Sequence, residues 1–170
     1  MWIFVADGVR DGTFNMSQQL WPIYMHDQVG MSMIQIAWLS SVAGLVTMIF
    51  TTPAGLLSDR FGERKAIASG WLVTIVAVLV LLFSPNFLFL AVGYSLFGLG
   101  GALIFPAYQS LISKAVPQRI RGTAFGLLST GTGLISLPAP YIGALLYEQI
   151  SPRTPFFAMA GLMALLVPII

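Results

Sequence analysis

Asp59-Arg60-Phe61-Gly62-Glu63-Arg64-Lys65 sets five charged side chains between two stretches that carry none, Gln28 to Ser58 and Ala66 to Ser113. Each flanking stretch exceeds the roughly 20 apolar residues needed to cross a hydrocarbon core of about 30 Å. The charged heptapeptide therefore has to sit in water at a membrane face, as a tight basic loop between two spanning helices. Composition leads to the same class, because 57% hydrophobic and 8% charged residues in a chain of 170 could not coat a soluble core. The chain reads as an all-α integral membrane protein.

Apolar runs and their breakers predict one membrane domain over residues 1–170, with six transmembrane helices at about 1–25, 34–57, 66–83, 87–113, 122–147 and 155–170. The 48-residue run from Ala66 to Ser113 is too long for one crossing, and Ser84-Pro85-Asn86 is a turn signal at its midpoint. The run is read as a helical hairpin. Gly131, Gly133, Pro138 and Pro140 predict a bend in the fifth span. The first span is too long and too polar in its middle for a cleaved signal peptide, and no soluble domain is expected beside the spans.

Orientation follows from the basic residues. Arg60, Arg64 and Lys65 fall in one loop and Lys114, Arg119 and Arg121 in another, while the opposite side holds only Arg153. Basic loops stay inside, so both termini are predicted to be cytoplasmic and the chain to be multi-pass in a cell membrane, plasma or inner. Six of the eight Lys and Arg residues are thereby accounted for by topology, which leaves no case for a nucleic-acid partner. With zero cysteines there is no disulfide framework and no thiol nucleophile.

The stretch Gly55-Leu56-Leu57-Ser58-Asp59-Arg60-Phe61-Gly62-Glu63-Arg64-Lys65-Ala66-Ile67 resembles the signature loop of the major facilitator superfamily, a Gly-x-Leu-Ala-Asp-Arg-x-Gly-Arg-Lys-x-x-Leu pattern between the second and third helices of a six-helix half. Glu63 stands where that pattern has a basic residue. Gly98-Leu99-Gly100-Gly101 with Pro106 looks like the family's Gly-rich fourth helix, and Arg121-Gly122 before Phe125-Gly126 like the start of its fifth. Pro140 and Gly143 sit where the antiporter element Gly-Pro-x-x-Gly-Gly would fall, with Ala139 and Ala144 replacing two of its glycines. The resemblance covers nearly the whole chain and implies a half built from two inverted three-helix repeats. Gly143-Ala144-Leu145, 88 residues after Gly55-Leu56-Leu57, is a faint internal echo of that repeat. It also implies a second six-helix half, in the same chain or another. Tyr94, where amino-terminal halves commonly carry arginine, and Arg153-Thr154-Pro155-Phe156, similar to the start of a twelfth helix, make the carboxy-terminal half the preferred reading, against the start at Met1 and the strong signature loop, which favour the amino-terminal one.

Within the first span Asp7, Arg10, Asp11, Asn15, Gln18, Gln19 and His26 recur at helical spacings that place most of them on one stripe. An ionisable group at mid-bilayer costs roughly 2.5 to 3.5 kcal/mol, so such a stripe must pair internally or line water. One reading makes Asp7 or Asp11 a proton or substrate-cation site with Arg10 as its neighbour; the other starts the span near Thr13 and leaves Asp7 to Asp11 as interfacial anchors. Asn15, Gln18 and Gln19 lie deeper under either boundary and are candidates to line a pathway. His26, the single histidine, reads as a solvated loop residue beside Asp27. By analogy with the family, Tyr94, Ser95, Tyr108 and Gln109 of the fourth helix are further pathway candidates. The resemblance implies a gating role for Gly55, Asp59, Arg60, Gly62 and Arg64, whereas plain topology explains the same charges as anchors. Glycines 93, 98, 100, 101, 122, 126, 131 and 133 are expected to let helices approach closely.

No His-Glu-x-x-His, Gly-x-Ser-x-Gly or Walker-type Gly-Lys-Ser/Thr occurs, so neither an enzyme nor a cofactor or metal site is expected. The sequence supports a half of a secondary transporter moving a small solute by alternating access with a proton or ion, efflux of drug-like compounds being preferred. A non-transporting membrane fragment or assembly module and a small homo-oligomeric channel are the competing readings.

Overall fold

The computed structural model describes residues 2–84 and 86–169, and all regular structure among them is helical. In chain order these helices are α1 (Trp2–Gln18), α2 (Leu20–Asp27), α3 (Met33–Phe61), α4 (Glu63–Phe83), α5 (Phe87–Ala115), α6 (Arg121–Ser136), α7 (Ala139–Gln149) and α8 (Thr154–Leu166), with 3-10 turns at Gln118–Ile120 and Val167–Ile169. Three of them, α3, α4 and α5, are long and apolar enough to cross a membrane. At a rise of about 1.5 Å per residue they measure roughly 43, 31 and 43 Å, against a core of about 30 Å.

Proline chemistry explains why the first and fifth expected crossings come in pieces, while the sixth is the short helix α8. α1 and α2 follow each other through Gln19, which keeps helical dihedrals (φ −76°, ψ −20°). Pro22 has no N–H for the Gln18 carbonyl and its ring crowds that carbonyl, so the hydrogen-bonded ladder lapses at this point. The expected bend of the fifth span is an interruption at Leu137-Pro138, with Pro138 as the N-cap of α7 and Pro140 in its first turn. Both prolines withhold donors from the end of α6, and the helix restarts where a missing N–H is harmless.

The basic heptapeptide corrects the expectation of a loop. α3 continues through Ser58, Asp59 and Arg60 to Phe61, and α4 begins at Glu63. Gly62 alone joins them, at φ 94° and ψ 146°, a conformation that side chains with a Cβ rarely adopt. The helices thus extend past the expected span ends at residues 57 and 66. Arg60 sits in the last turn of α3 and Glu63 in the first turn of α4, each matching the sign of its helix dipole.

The chain divides into two compact units, residues 2–37 with 126–169 and residues 38–125. In the second unit α4 and α5 form the hairpin predicted from Ser84 to Asn86, with Pro85 outside the described residues. The Asn86 side chain caps α5 by accepting from the Phe89 N–H at 3.2 Å. Their interface buries Ala66, Ile67, Trp71, Ala77, Val78 and Leu81 against Leu90, Ala102, Leu103, Ile104 and Ala107. A Cβ on Gly70 would lie 3.1 Å from the Gly100 carbonyl oxygen, and one on Gly93 would lie 2.6 Å from Leu81 Cδ2. α3 meets α5 where Gly98 abuts the Ala43 carbonyl, and the Thr47 hydroxyl donates to the Gly98 carbonyl at 2.9 Å. Close approach therefore holds at glycines 93, 98 and 100. It does not hold at 101, 122, 126, 131 and 133, where an added Cβ would meet nothing within 4 Å among the described residues.

In the first unit, α1 and α2 pack on α7 and α8. Met16, Ser17, Leu20, Trp21, Tyr24 and Met25 are buried with Phe156, Met159, Ala160 and Met163. The Trp21 and Phe156 rings are 4.0 Å apart, and Tyr24 meets Phe156 edge-on at 5.2 Å. The buried Ser17 hydroxyl donates to the Pro155 carbonyl at 3.1 Å, tying the middle of the first segment to the start of the last.

Candidate functional site

α1 holds Asp11 half-buried beside the interruption between α6 and α7. Asn15, one turn further on, donates through Nδ2 to the Asp11 carbonyl at 2.9 Å and to Asp11 Oδ2 at 3.0 Å. The same Oδ2 accepts from the hydroxyl of Ser136, the last residue of α6, at 3.0 Å. Two donors, one from another helix, thus compensate a carboxylate in a largely apolar unit. Of the stripe predicted on this helix, the structure joins Asp11 and Asn15 directly. Gln18 and Gln19 are exposed. Asp7 and Arg10 lie on the α1 backbone, but their side chains are outside the described residues.

Three participants escaped the sequence reading. Gly8 and Gly12 bring α1 against the fifth segment: a Cβ at Gly8 would lie 3.7 Å from Ile135 Cδ1, and one at Gly12 would lie 3.9 Å from Ser136 Oγ. Farther along, Gly143 abuts the Met16 carbonyl. The Gly8-x-x-x-Gly12 spacing was the available signal for this contact. Ser136 carried no signal beyond its place just before Leu137-Pro138.

His26 is exposed in the last turn of α2, as expected of a solvated residue; its Nδ1 lies 2.9 Å from the Met31 carbonyl, which can only accept, so Nδ1 carries the proton. Nearby, Arg153 donates through Nε to the Tyr24 hydroxyl at 3.1 Å.

In the second unit the signature residues converge with the far end of α5. Glu63 Oε1 accepts from the Ser110 hydroxyl at 2.9 Å and forms an ion pair with Lys114. Asp59 adds a through-space attraction on the same ammonium. The residue that departs from the family pattern, Glu63, thereby finds its counter-charge 51 positions away in sequence. Asp59, Arg60 and Arg64 are exposed around this joint, and Gly55 and Gly62 are half-buried. Tyr94, Ser95 and Tyr108 are half-buried on α5 and Gln109 is exposed, with the Ser95 hydroxyl bonded to the Ala91 carbonyl at 2.7 Å. Tyr94 and Tyr108 are separated by about 21 Å along the axis, so a small solute could not touch both at once.

Apolar helices of spanning length, proline-interrupted segments and a glycine-joined charged helix pair define a helical membrane protein. Residues 4–170 match the profile of the Major Facilitator Superfamily, and the chain belongs to that family. It is 32% identical over 141 residues to the uncharacterized MFS-type transporter YvkA of Bacillus subtilis, covering 79% of this chain and 32% of that protein. It is 28% identical over 148 residues to the multi-drug resistance efflux pump PmrA of Streptococcus pneumoniae, covering 85% and 37%. Against the human synaptic vesicular amine transporter it is 27% identical over 133 residues, covering 78% and 26%. The chain thus spans 26% to 37% of the length of these relatives. A crystal structure of the peptide transporter POT with sulfate superposes with a TM-score of 0.77 over 98% of this chain and 35% of that one, at 20% identity, which establishes the shared fold. The named relatives are transporters rather than enzymes.

Proposed function

We propose that the chain is one six-helix half of a secondary transporter, composed of two inverted three-helix repeats, that moves a small solute across a cell membrane by alternating access coupled to a proton or ion. The observation that carries this reading is the Asp11 carboxylate, held by Asn15 and by Ser136 of another helix. Such a group is costly in a membrane and is retained where charge has to be handled. In this proposal Asp11, with Asp7 and Arg10 on the same helix, carries the coupling ion. Asn15, Gln18 and Gln19 in the first unit, and separately Tyr94, Tyr108 and Gln109 in the second, are the proposed pathway residues. Gly55, Asp59, Arg60, Gly62 and Arg64 form the gating joint.

The family membership and the efflux pump among the relatives favour export of drug-like compounds. Both termini are assigned to the cytoplasm, together with the two basic segments. Lys114, attracted by both Glu63 and Asp59, supports placing those segments at one membrane face. Lipid, the transported solute and a complementary six-helix half are the partners this reading requires.

The test is ethidium export, in proteoliposomes under an imposed pH gradient, by the chain reconstituted together with its complementary six-helix half. Wild type should export ethidium with a pH-dependent rate. Asp11→Asn should remove the gradient dependence, and Ser136→Ala should lower the rate several-fold while leaving the dependence in place. An Asp11→Asn and an Asp7→Asn protein that both keep the wild-type pH profile would overturn the coupling assignment. Conductance without saturation would replace the transporter by a channel.

A further inference from the structure

The α3–α4 joint and the segment from Lys114 to Arg121 are separate in sequence, yet the second unit brings them to one end. Lys114 is paired with Glu63 and attracted by Asp59. Six cations, Arg60, Arg64, Lys65, Lys114, Arg119 and Arg121, share these segments with two carboxylates, Asp59 and Glu63, leaving a net charge of +4. Glu63 is already engaged by Lys114 and Ser110. Arg60, Arg64, Lys65 and Arg119 remain exposed.

The surface beside these cations is oily. Leu56 is 68% exposed and Leu57 45%, while Phe61 and Ile120 are 53% and 52% exposed. Leu56 lies one helical turn from Arg60, and Leu57 one turn from Phe61, so each pair shares a face of α3. The Arg60 guanidinium carbon stands 5.4 Å from the Phe61 ring centroid. A soluble anion would find charge here without needing the apolar flank. A molecule with a phosphate at one end and a hydrocarbon chain at the other matches both features, and basic clusters at the cytoplasmic membrane surface attract anionic lipid at about 1 kcal/mol per cation, roughly fivefold each.

We propose that the joint between α3 and α4, together with the Lys114–Arg121 segment, is a binding surface for an anionic phospholipid, its phosphate held among Arg64, Lys65 and Arg119 and its acyl chain laid along Leu56, Leu57 and Phe61. Lys114 is exposed as well, but its ammonium is already paired with Glu63, so the exposed cations without that pairing, Arg64, Lys65 and Arg119, carry the contact. This surface is separate from the Asp11 site and does not depend on the transport reading.

The test is native mass spectrometry of the detergent-solubilised full-length protein with added palmitoyl-oleoyl phosphatidylglycerol, against phosphatidylcholine of the same chains. Wild type should retain phosphatidylglycerol at least about tenfold better, and the preference should shrink on raising ammonium acetate from 0.1 to 1 M. The combined variant Arg64→Gln, Lys65→Gln, Arg119→Gln should lose most of the preference, while Arg153→Gln keeps it. The salt series on wild type stands even if the triple variant fails to fold. Equal retention of the two lipids, a preference indifferent to salt, or a folded triple variant that behaves as wild type would overturn the proposal. Displacement of phosphatidylglycerol by millimolar inorganic phosphate would reassign the surface to a soluble anion.

Discussion

Glu63 shows how one residue can depart from a family pattern without disturbing the joint it belongs to. A basic residue there would face Lys114, and like charges at contact distance repel even in water. The carboxylate instead accepts from Lys114 and Ser110, fastening the start of α4 to the end of α5. Because Lys114 is two-thirds exposed, the pair acts more as a selector of register than as a large source of stability. Glu63→Lys should therefore lower the Tm of the full-length protein by a few degrees, more than Glu63→Gln does. The exchange Glu63→Lys with Lys114→Glu should recover most of the loss. Intrinsic tryptophan fluorescence during a thermal ramp reads this, and a double variant no better than Glu63→Lys alone would show that the pair does not set the contact. The sequence displayed Glu63 as an anomaly but could not name its partner, because nothing local connects positions 63 and 114.

At the scale of helices, close packing is decided by where a glycine points, not by the presence of one. Gly98 and Gly101 are neighbours on α5, yet a Cβ at Gly98 runs into the Ala43 backbone and one at Gly101 meets nothing within 4 Å. Gly98→Ala should cost about 1 to 3 kcal/mol, since backbone cannot turn aside as a side chain can. Gly101→Ala should be neutral, or gain up to about 1 kcal/mol from helix propensity. Denaturation midpoints in mixed micelles would rank the two, and equal losses would mean that α3 does not seat on α5 at Gly98. This contrast marks what could be read in advance. Hydrophobic run length located α3, α4 and α5, and Pro138 with Pro140 located the interruption, because these effects act within a few residues. The charged heptapeptide was expected as a loop because its polarity was plain, whereas the capacity of a single φ-positive glycine to join two helices, Gly62, is a conformational property. Asp11 was visible as a charge that either entered the span or anchored its interface; Ser136 was not visible, because its role arises only when the fifth segment lies against α1.

For the whole molecule, the question is what covers the apolar face of α3. Ile34, Trp38, Leu45, Met48 and Ile49 are all strongly exposed within the described chain, and a surface of that kind is stable only against lipid or protein. Lipid alone would suit a helix that needs no partner. The relatives, however, are roughly two and a half times as long as this chain, and the proposed route that alternates between two faces requires two bodies able to move around one site. The 170 residues expressed alone should insert in the membrane but export no ethidium. Coexpression with the complementary six-helix half should restore export, with a saturable dependence on ethidium and a requirement for the pH gradient. Tryptophan emission offers a readout apart from transport: Trp38 should change its quenching by brominated lipid when the other half binds, because a protein surface then replaces acyl chains beside it. Gradient-driven export by the short chain alone, with Trp38 quenching unchanged on coexpression, would mean that copies of this chain supply both bodies, and the complementary half would no longer be needed in the account.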